Sequence, residues 1–455
     1  MKNPNIIFIM KKFIATLLTL ATTFSTNAQE NTMNTTVTMK DPVVIAQSGG
    51  ADITLVGVPR VNATDWGRFR MPKIYRLPSG DIGLTFSISH DHYSDQGRLS
   101  PFFTSADNGA TWVEAPWPDL AGADTRFKGM GTFIAELHDG DFLAIPATNG
   151  LELPKESFPA SAGTVGGFGA PFLLHDIAAA FSREHREWFA EFNGMRWSAA
   201  AKSWSPVKIP WGDHKGQLAF SYLDAPQKYE TAWTQKFYFE QPVVRGDGEL
   251  YAADYWSVYR NADGSVFRSW PSTLMVSKDN GRTWERRAFI AGDAAASGIG
   301  QVHYVEPSLA RNLRGELVSV IRDGCGSTMN GVPKPMILTH SKDNGHTWSK
   351  PTQLSGLHAS QGVFPQLLQL GNGVMVLVYG RASRGIWLSC SRDGGHAWDA
   401  PVNIATDVTN GNSCGYTGMV AINESTFLLA YADVNLKNKA GENCKSIVVR
   451  EITAR

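Results

Sequence analysis

Five short segments of this 455-residue chain gather side chains capable of chemistry. Phe69-Arg70-Met71-Pro72 offers a guanidinium at the start of a hydrophobic run. His90-Asp91-His92-Tyr93-Ser94-Asp95-Gln96-Gly97-Arg98 places two histidines and two carboxylates on one polar loop. His303-Tyr304-Val305-Glu306-Pro307-Ser308 is followed by Arg322, sixteen positions beyond Glu306. Leu377-Val378-Tyr379-Gly380-Arg381-Ala382-Ser383-Arg384 carries two arginines, and Ser413-Cys414-Gly415-Tyr416-Thr417-Gly418-Met419 carries a tyrosine. Guanidinium groups are planar donor forks that fit a carboxylate. Carboxylates accept and donate protons. A phenol, with a free pKa of about 10, becomes a nucleophile only beside a base. These types together could bind an anionic substrate and move protons at it. Each also has a plain structural reading: a surface ion pair for Arg70, turn caps for Asp91 and Asp95, a strand terminus for Glu306, a core tyrosine for Tyr416. The triplet His90-Asp91-His92, two histidines with one carboxylate on a loop, is weak evidence for a metal site.

The elements that must position these residues announce themselves through an internal repeat. Ser105-Ala-Asp107-Asn-Gly109-Ala-Thr111-Trp112 recurs as Ser277-Lys-Asp279-Asn-Gly281-Arg-Thr283-Trp284, as Ser341-Lys-Asp343-Asn-Gly345-His-Thr347-Trp348, and as Ser391-Arg-Asp393-Gly-Gly395-His-Ala397-Trp398. A worn copy, 198–204, keeps Trp204 and lacks the Asp and Gly. Each follows a β-rich run and precedes another extended stretch, so each predicts a hairpin. The Asp accepts backbone N–H groups of its own turn, the Gly supplies positive φ, and the Trp packs against a neighbouring unit. With 44 Gly, 23 Pro and 14 Trp, the composition agrees with many short strands and tight turns.

The repeat resembles the Asp box, or bacterial neuraminidase repeat, of sialidases and related β-propellers. Copies starting at 277, 341 and 391 are 64 and 50 residues apart, near one blade each. The resemblance implies an all-β, six-bladed β-propeller, with seven blades as the competing count. The blades are expected at about 66–117, 127–208, 215–291, 301–352, 362–402 and from 412. Pro42–Ala46 should pair with Ser446–Arg450 to close the ring and remove its free edges. Residues 151–200 should hold an inserted hairpin or short helix. The box aspartates are expected to be structural.

The same resemblance assigns roles. Phe69-Arg70-Met71-Pro72 is similar to the Phe/Tyr-Arg-Ile-Pro motif, whose arginine is the first of three that clamp a sugar carboxylate. Asp95, 25 positions beyond Arg70, corresponds to the acid/base, with Asp91 in reserve. Glu306 and Arg322 correspond to the base and second arginine. Either Arg384 or Arg381 would be the third, and Tyr416 the nucleophile activated by Glu306. The implied activity is retaining, exo-acting hydrolysis of terminal sialic acid, without metal or organic cofactor. The alternatives are a uronate hydrolase or polysaccharide lyase on the same scaffold, with His90, His92 or His303 available for proton abstraction, and a non-catalytic glycan-binding propeller.

Charge and composition bound the rest. Lys plus Arg and Asp plus Glu both number 42, so no basic surface points to nucleic acid or anionic lipid. At 43% hydrophobic and 18% charged, the chain is globular rather than disordered. Met10-Lys11-Lys12, an apolar run from Phe13 to Thr23, and small residues at Thr26 and Ala28 predict a signal peptide over 1–28, cut after Ala28. Residues 29–455 would then be one catalytic domain, periplasmic or secreted, monomeric, with no membrane span and with sialylated or other acidic glycans as partners. Of Cys325, Cys390, Cys414 and Cys444, the pair Cys414 and Cys444 could form a disulfide; otherwise these are buried small hydrophobes.

Overall fold

Strand order in this protein follows chain order with little interruption, as short hairpins between β-rich runs require. The computed structural model describes residues 35–48, 71–87, 101–116, 132–146, 148–165, 172–177, 183–212, 216–221, 231–238, 243–255, 257–267, 270–292, 304–323, 335–354, 356–357, 362–381, 385–406 and 415–455. The expected signal peptide lies outside these residues.

Within them, antiparallel meanders succeed one another. The first sheet comprises Lys73–Arg76, Ile82–Thr85, Phe102–Ser105 and Val113–Glu114. The second comprises Thr132–Glu136, Phe142–Pro146, Glu191–Ser198 and Ser203–Gly212; the third, Val244–Arg245, Leu250–Asp254, Ser272–Ser277 and Trp284–Ala291. A two-residue parallel contact, Trp211 opposite Trp284 and Gly212 opposite Glu285, joins these two edge to edge. Tyr304–Arg311, Leu317–Asp323, Ile337–Ser341 and Thr352–Gln353 make the fourth sheet. Val363–Gln369, Met375–Arg381, Gly385–Ser391 and Val402–Ala405 make the fifth. Thr417–Ala421, Thr426–Asp433 and Ser446–Ala454 make the sixth. Its outer edge is covered by Val37–Met39 and Val43–Gln47, both paired with Ser446–Ala454. The expected pairing of the N-terminal segment with the tail strand is thus present, and a second N-terminal strand extends it.

Apolar clusters lie between successive sheets. Tyr75 and Phe102 meet Ile134 and Phe142 between the first and second. Leu143 meets Leu250 and Met275 between the second and third, and Leu274 meets Leu317 and Ile337 between the third and fourth. Val318 meets Met375 and Leu377 between the fourth and fifth, and Val376 meets Leu429 and Tyr431 between the fifth and sixth. Ile82 and Leu84 meet Leu428 and Val449, bringing the last sheet onto the first. The result is a closed, propeller-like arrangement in which each sheet buries both faces.

The repeated turns link the sheets in one rotational sense. In the first copy Ser105 Oγ donates to Asp107 Oδ1 (2.8 Å), Thr111 N–H donates to the same oxygen (2.8 Å), and Gly109 N–H donates to Ser105 Oγ (2.7 Å). The other three copies repeat these bonds. Thr111 holds the Asp107 carboxyl well below its usual range, at about 2, chiefly through its hydroxyl and N–H. Positive φ is needed at two consecutive residues, Asn and Gly in three copies and Gly394-Gly395 in the fourth, not at the Gly alone. A Cβ on Gly109 would meet Leu428 of the sixth sheet, and on Gly281, Leu143 of the second. On Gly345 it would meet Leu274 of the third, and on Gly395, Val318 of the fourth. Each box therefore wedges against the preceding sheet, and its Trp joins the same interface. In the worn copy Lys202 adopts the positive φ (50°) that Gly supplies elsewhere.

Insertions within the second and third sheets, and in the chain that joins them, depart from expectation. They include the helix Arg183–Ala190, as anticipated for 151–200. They also include a ribbon, Thr148–Pro154 with Thr231–Tyr238, and a separate sheet of Gly163–Val165, Phe172–Asp176, Gln217–Ser221 and Val258–Tyr259. The third blade was expected from about 215, but Gln217–Ser221 belongs to this inserted sheet and the third meander begins at Val244. The reason is packing: Phe172, Phe220 and Trp270 stack edge to face in a cluster of their own.

Cys390 and Cys444 are buried free thiols, so Cys444 takes no part in a disulfide; Cys325 and Cys414 lie outside the described residues. Among the described residues, no helix is long and apolar enough to cross a membrane.

Candidate functional site

Near the start of the first strands of the fourth, fifth and sixth sheets, two side chains and one backbone N–H converge on one carboxylate. Glu306 is 2% exposed. Its Oε1 accepts from Arg322 Nη1 at 2.7 Å and from the Tyr416 hydroxyl at 2.5 Å, and its Oε2 accepts from the Phe364 backbone N–H at 2.8 Å. Glu306 and Arg322 lie on paired strands of the fourth sheet, Phe364 on the fifth, and Tyr416 immediately precedes Thr417–Ala421 of the sixth. Three donors satisfy a carboxylate that would otherwise be costly to bury.

Local backbone geometry aims these groups. Glu306 has φ +51° and precedes Pro307; the register slips by one residue between Val305 and Ser308, the signature of a β-bulge. Phe364 repeats the device on the fifth sheet, with φ +50°, Pro365 following, and a slip between Val363 and Gln366. Met71, before Pro72 in the first sheet, has φ +30°. A bulge turns one side chain out of the strand's alternation; here it accompanies the bonds of Glu306 with Tyr416 and with the Phe364 N–H.

The surroundings are apolar. Met71, Val363, Phe364 and Tyr416 form a small buried cluster. The Phe364 ring stacks on the Tyr416 ring, with centroids 4.3 Å apart and planes 29° apart. Lys73, only 4% exposed, sets its Nζ over the Phe364 ring at 4.7 Å from the centroid. Two glycines permit the approach of the sixth sheet. A Cβ on Gly380 would lie 2.4 Å from the Gly415 carbonyl oxygen, and one on Gly418 would lie 2.9 Å from that of Pro72.

Of the residues singled out by sequence, Glu306, Arg322 and Tyr416 are brought together. Arg70, Asp91, Asp95, His90, His92, His303 and Arg384 lie outside the described residues, although Met71, next to Arg70, is in the central cluster. The Arg381 backbone ends the second strand of the fifth sheet opposite Gly385; its side chain is outside the described atoms. Phe364 and Lys73 were not anticipated. The signal for Phe364 was available: Phe364-Pro365 repeats the residue-then-proline form of Met71-Pro72 and Glu306-Pro307. Chemically, the arrangement provides a phenol hydrogen-bonded to a carboxylate, a guanidinium, and buried apolar surroundings in which charge interactions are strong.

Residues 221–429 match the BNR repeat-like domain. No curated protein matches the chain. Among solved structures, a protein of unknown function from Dyadobacter fermentans is similar, with 17% identity over 92% of this chain and 99% of that one and a TM-score of 0.59. The GH93 alpha-L-arabinofuranosidase of Fusarium graminearum, solved with arabinobiose, aligns at 13% identity over 90% of this chain and 97% of that one, with a TM-score of 0.50. A mutant NanB sialidase from Streptococcus pneumoniae aligns at 13% identity over 91% of this chain and 70% of that one, with a TM-score of 0.46. At these identities likeness speaks to fold alone. The repeat turns, the stacked sheets and the match over 221–429 together show a BNR-repeat-like, propeller-like fold.

Proposed function

We propose that this chain is an exported, monomeric exo-α-sialidase that hydrolyses terminal sialic acid linkages with retention. The observation that carries the proposal is the 2.5 Å bond between the Tyr416 hydroxyl and Glu306, inside a buried cluster drawn from three sheets. A sialoside carries a carboxylate on its anomeric carbon, so a carboxylate nucleophile would approach a like charge in a dry site. A phenol remains neutral until it reacts, and for that reason sialidases stand outside the two-carboxylate rule.

In the first step Glu306 takes the phenolic proton while Tyr416 oxygen attacks the anomeric carbon. Asp95 gives a proton to the departing glycosidic oxygen. In the second step Asp95 removes a proton from water, which attacks the same carbon. The Tyr416 oxygen leaves and recovers its proton from Glu306, so two inversions yield retention. Arg70, Arg322 and one of Arg384 and Arg381 hold the substrate carboxylate. Arg322, already bonded to Glu306, would couple substrate binding to the orientation of the base.

The test is purified protein incubated side by side with a fluorogenic sialoside and a uronate polymer. Release of fluorophore by the wild type and its abolition in a folded Tyr416→Phe variant support the proposal. An ultraviolet-absorbing unsaturated product from the polymer, or undiminished activity in Tyr416→Phe, would sink it.

A further inference from the structure

A buried lysine is linked to the Tyr416 phenol through one aromatic ring: Lys73 Nζ lies over Phe364, and Phe364 stacks on Tyr416. Lys73 belongs to the first strand of the first sheet, its backbone paired with Thr85, and is nearly inaccessible to solvent. A buried ammonium persists only where its surroundings favour the charge. Its Nζ sits over the Phe364 ring, and that ring lies stacked on Tyr416. Phe364 thus contacts every party to the proton transfer: its N–H holds Glu306 Oε2, its ring fixes the plane of the phenol, and its π-face carries the ammonium. Glu306 and Arg322 face the phenol from the fourth sheet, and Lys73 supplies positive charge from the first.

We infer that Phe364 and Lys73 are positioning residues for the Tyr416–Glu306 pair: Phe364 holds phenol and carboxylate in reacting alignment, and Lys73 stabilises the phenolate formed as the proton leaves. The inference rests on the proposed role of Tyr416. Its physical content concerns how the phenol ionises in this protein, whatever the substrate. In the proton transfer, the O–H bond of Tyr416 breaks and an O–H bond to Glu306 forms, leaving negative charge on the phenol oxygen. A positive charge held in a low-dielectric wall favours that state. Binding of substrate, by contrast, does not require it, so the effect belongs in turnover rather than affinity.

Two readouts test this, using full-length protein with tyrosine 13C-enriched at Cζ and the Tyr416 signal identified by its absence in Tyr416→Phe. Lys73→Met keeps length and removes charge; its Tyr416 signal should titrate about one pH unit higher than in the wild type. Lys73→Arg should return it to the wild-type position. On the sialoside, Lys73→Met and Phe364→Leu should each lower kcat about tenfold with KM within about twofold, and Lys73→Arg should recover most of the loss. An unchanged Tyr416 titration in Lys73→Met up to pH 11 overturns the inference. So does a loss that appears in KM alone, or one that Lys73→Arg fails to recover. A shifted titration in a protein that turns over no sialoside upholds the electrostatic coupling and removes the sialidase reading, so the two fail separately.

Discussion

Gly380→Ala should disable the Tyr416–Glu306 pair without touching either residue. Gly380 ends the inner hairpin of the fifth sheet, in Tyr379-Gly380-Arg381, and its partner in space is Gly415, immediately before Tyr416. A Cβ there would lie 2.4 Å from the Gly415 carbonyl oxygen, 2.5 Å from its Cα and 2.7 Å from its carbonyl carbon. All three are backbone atoms, so no side chain can rotate away. Restoring ordinary contact requires a displacement of about 1 Å, passed directly to Tyr416. The Tyr416–Glu306 bond is 2.5 Å long, and a shift of that size takes it to the limit of hydrogen bonding. Misplacement of a reacting group by about 1 Å costs on the order of 100-fold in rate. Overpacking of this kind also costs about 1–3 kcal/mol of stability. The assay is kcat on a fluorogenic sialoside together with urea unfolding. Gly248→Ala serves as control, because Gly248 has φ +78° and a Cβ there meets nothing within 4 Å. The control should lose about 1 kcal/mol and no activity. Gly380→Ala that unfolds like the wild type and keeps activity within about twofold would refute the view that this backbone approach sets the pair.

The remaining predictions concern the ring that carries the site. Gly345→Ala should destabilise by about 2–4 kcal/mol in urea unfolding, since it combines positive φ with overpacking. Its φ is +83° and the added Cβ would lie 2.0 Å from Leu274 Cδ2, in the buried interface with the third sheet. The box aspartates Asp107 and Asp343 have carboxyls held at about 2, each chiefly by hydrogen bonds from Thr111 and Thr347 respectively. A depressed folded-state value gives stability that is present above the unfolded value near 4 and lost as pH falls toward 2. Asp343→Asn should therefore be less stable at pH 7, with the difference shrinking below about pH 4 and mostly lost by about pH 2. Burial, reinforced by His396 stacked at 4.2 Å, pushes His340 below 6.5. The unfolded chain then takes up the proton first as pH falls, so stability drops below about pH 6.5, and His340→Phe should flatten that decline in Tm.

The parts of the fold that could be read from the sequence are those decided within a few residues. An Asp that accepts N–H groups from residues three and four positions on is a local event, so the box turns stood out in all four copies. Even there, the positive φ shared by Asn108 and Gly109 was hidden, because Asn is also an ordinary turn residue. The pairing of Val43–Gln47 with the tail strand followed from the need to cover edges. Gln217–Ser221 was misplaced because a fully buried strand shows no alternation that names its partner; Phe172 and Phe220 settled it through a separate aromatic cluster. At the site, Glu306 and Arg322 sit on paired strands, a relation their spacing suggests. Glu306 and Tyr416 stand 110 residues apart, and only resemblance to sialidases joined them before the ring did. Phe364 was passed over because a phenylalanine in a strand is ordinarily core; its N–H bond to Glu306 depends on a bulge whose one sign in the sequence is the proline that follows, as in Glu306-Pro307.

That bulge leads to the reason the site lies where it does. Among the described residues, seven that are not glycine adopt positive φ. Asn108, Asn280, Asn344 and Lys202 lie in the hairpin turns, where local hydrogen bonds compensate. The other three, Met71, Glu306 and Phe364, each precede proline, which itself disfavours anything but extended backbone at that position. Each such residue costs of order 1–3 kcal/mol and persists only when its surroundings hold it. None of the three is an Asn or Asp able to bond its own backbone. Compensation comes instead from other sheets: Glu306 accepts from Phe364 and Tyr416, Phe364 stacks on Tyr416, and Met71 packs into the same cluster. The strained conformations are therefore stable only in the assembled ring, and with them Glu306, Phe364 and Met71 all meet Tyr416 or its cluster. A core built for stability alone would let these residues relax into the regular ladder; a site that must hold a phenol against a buried carboxylate cannot.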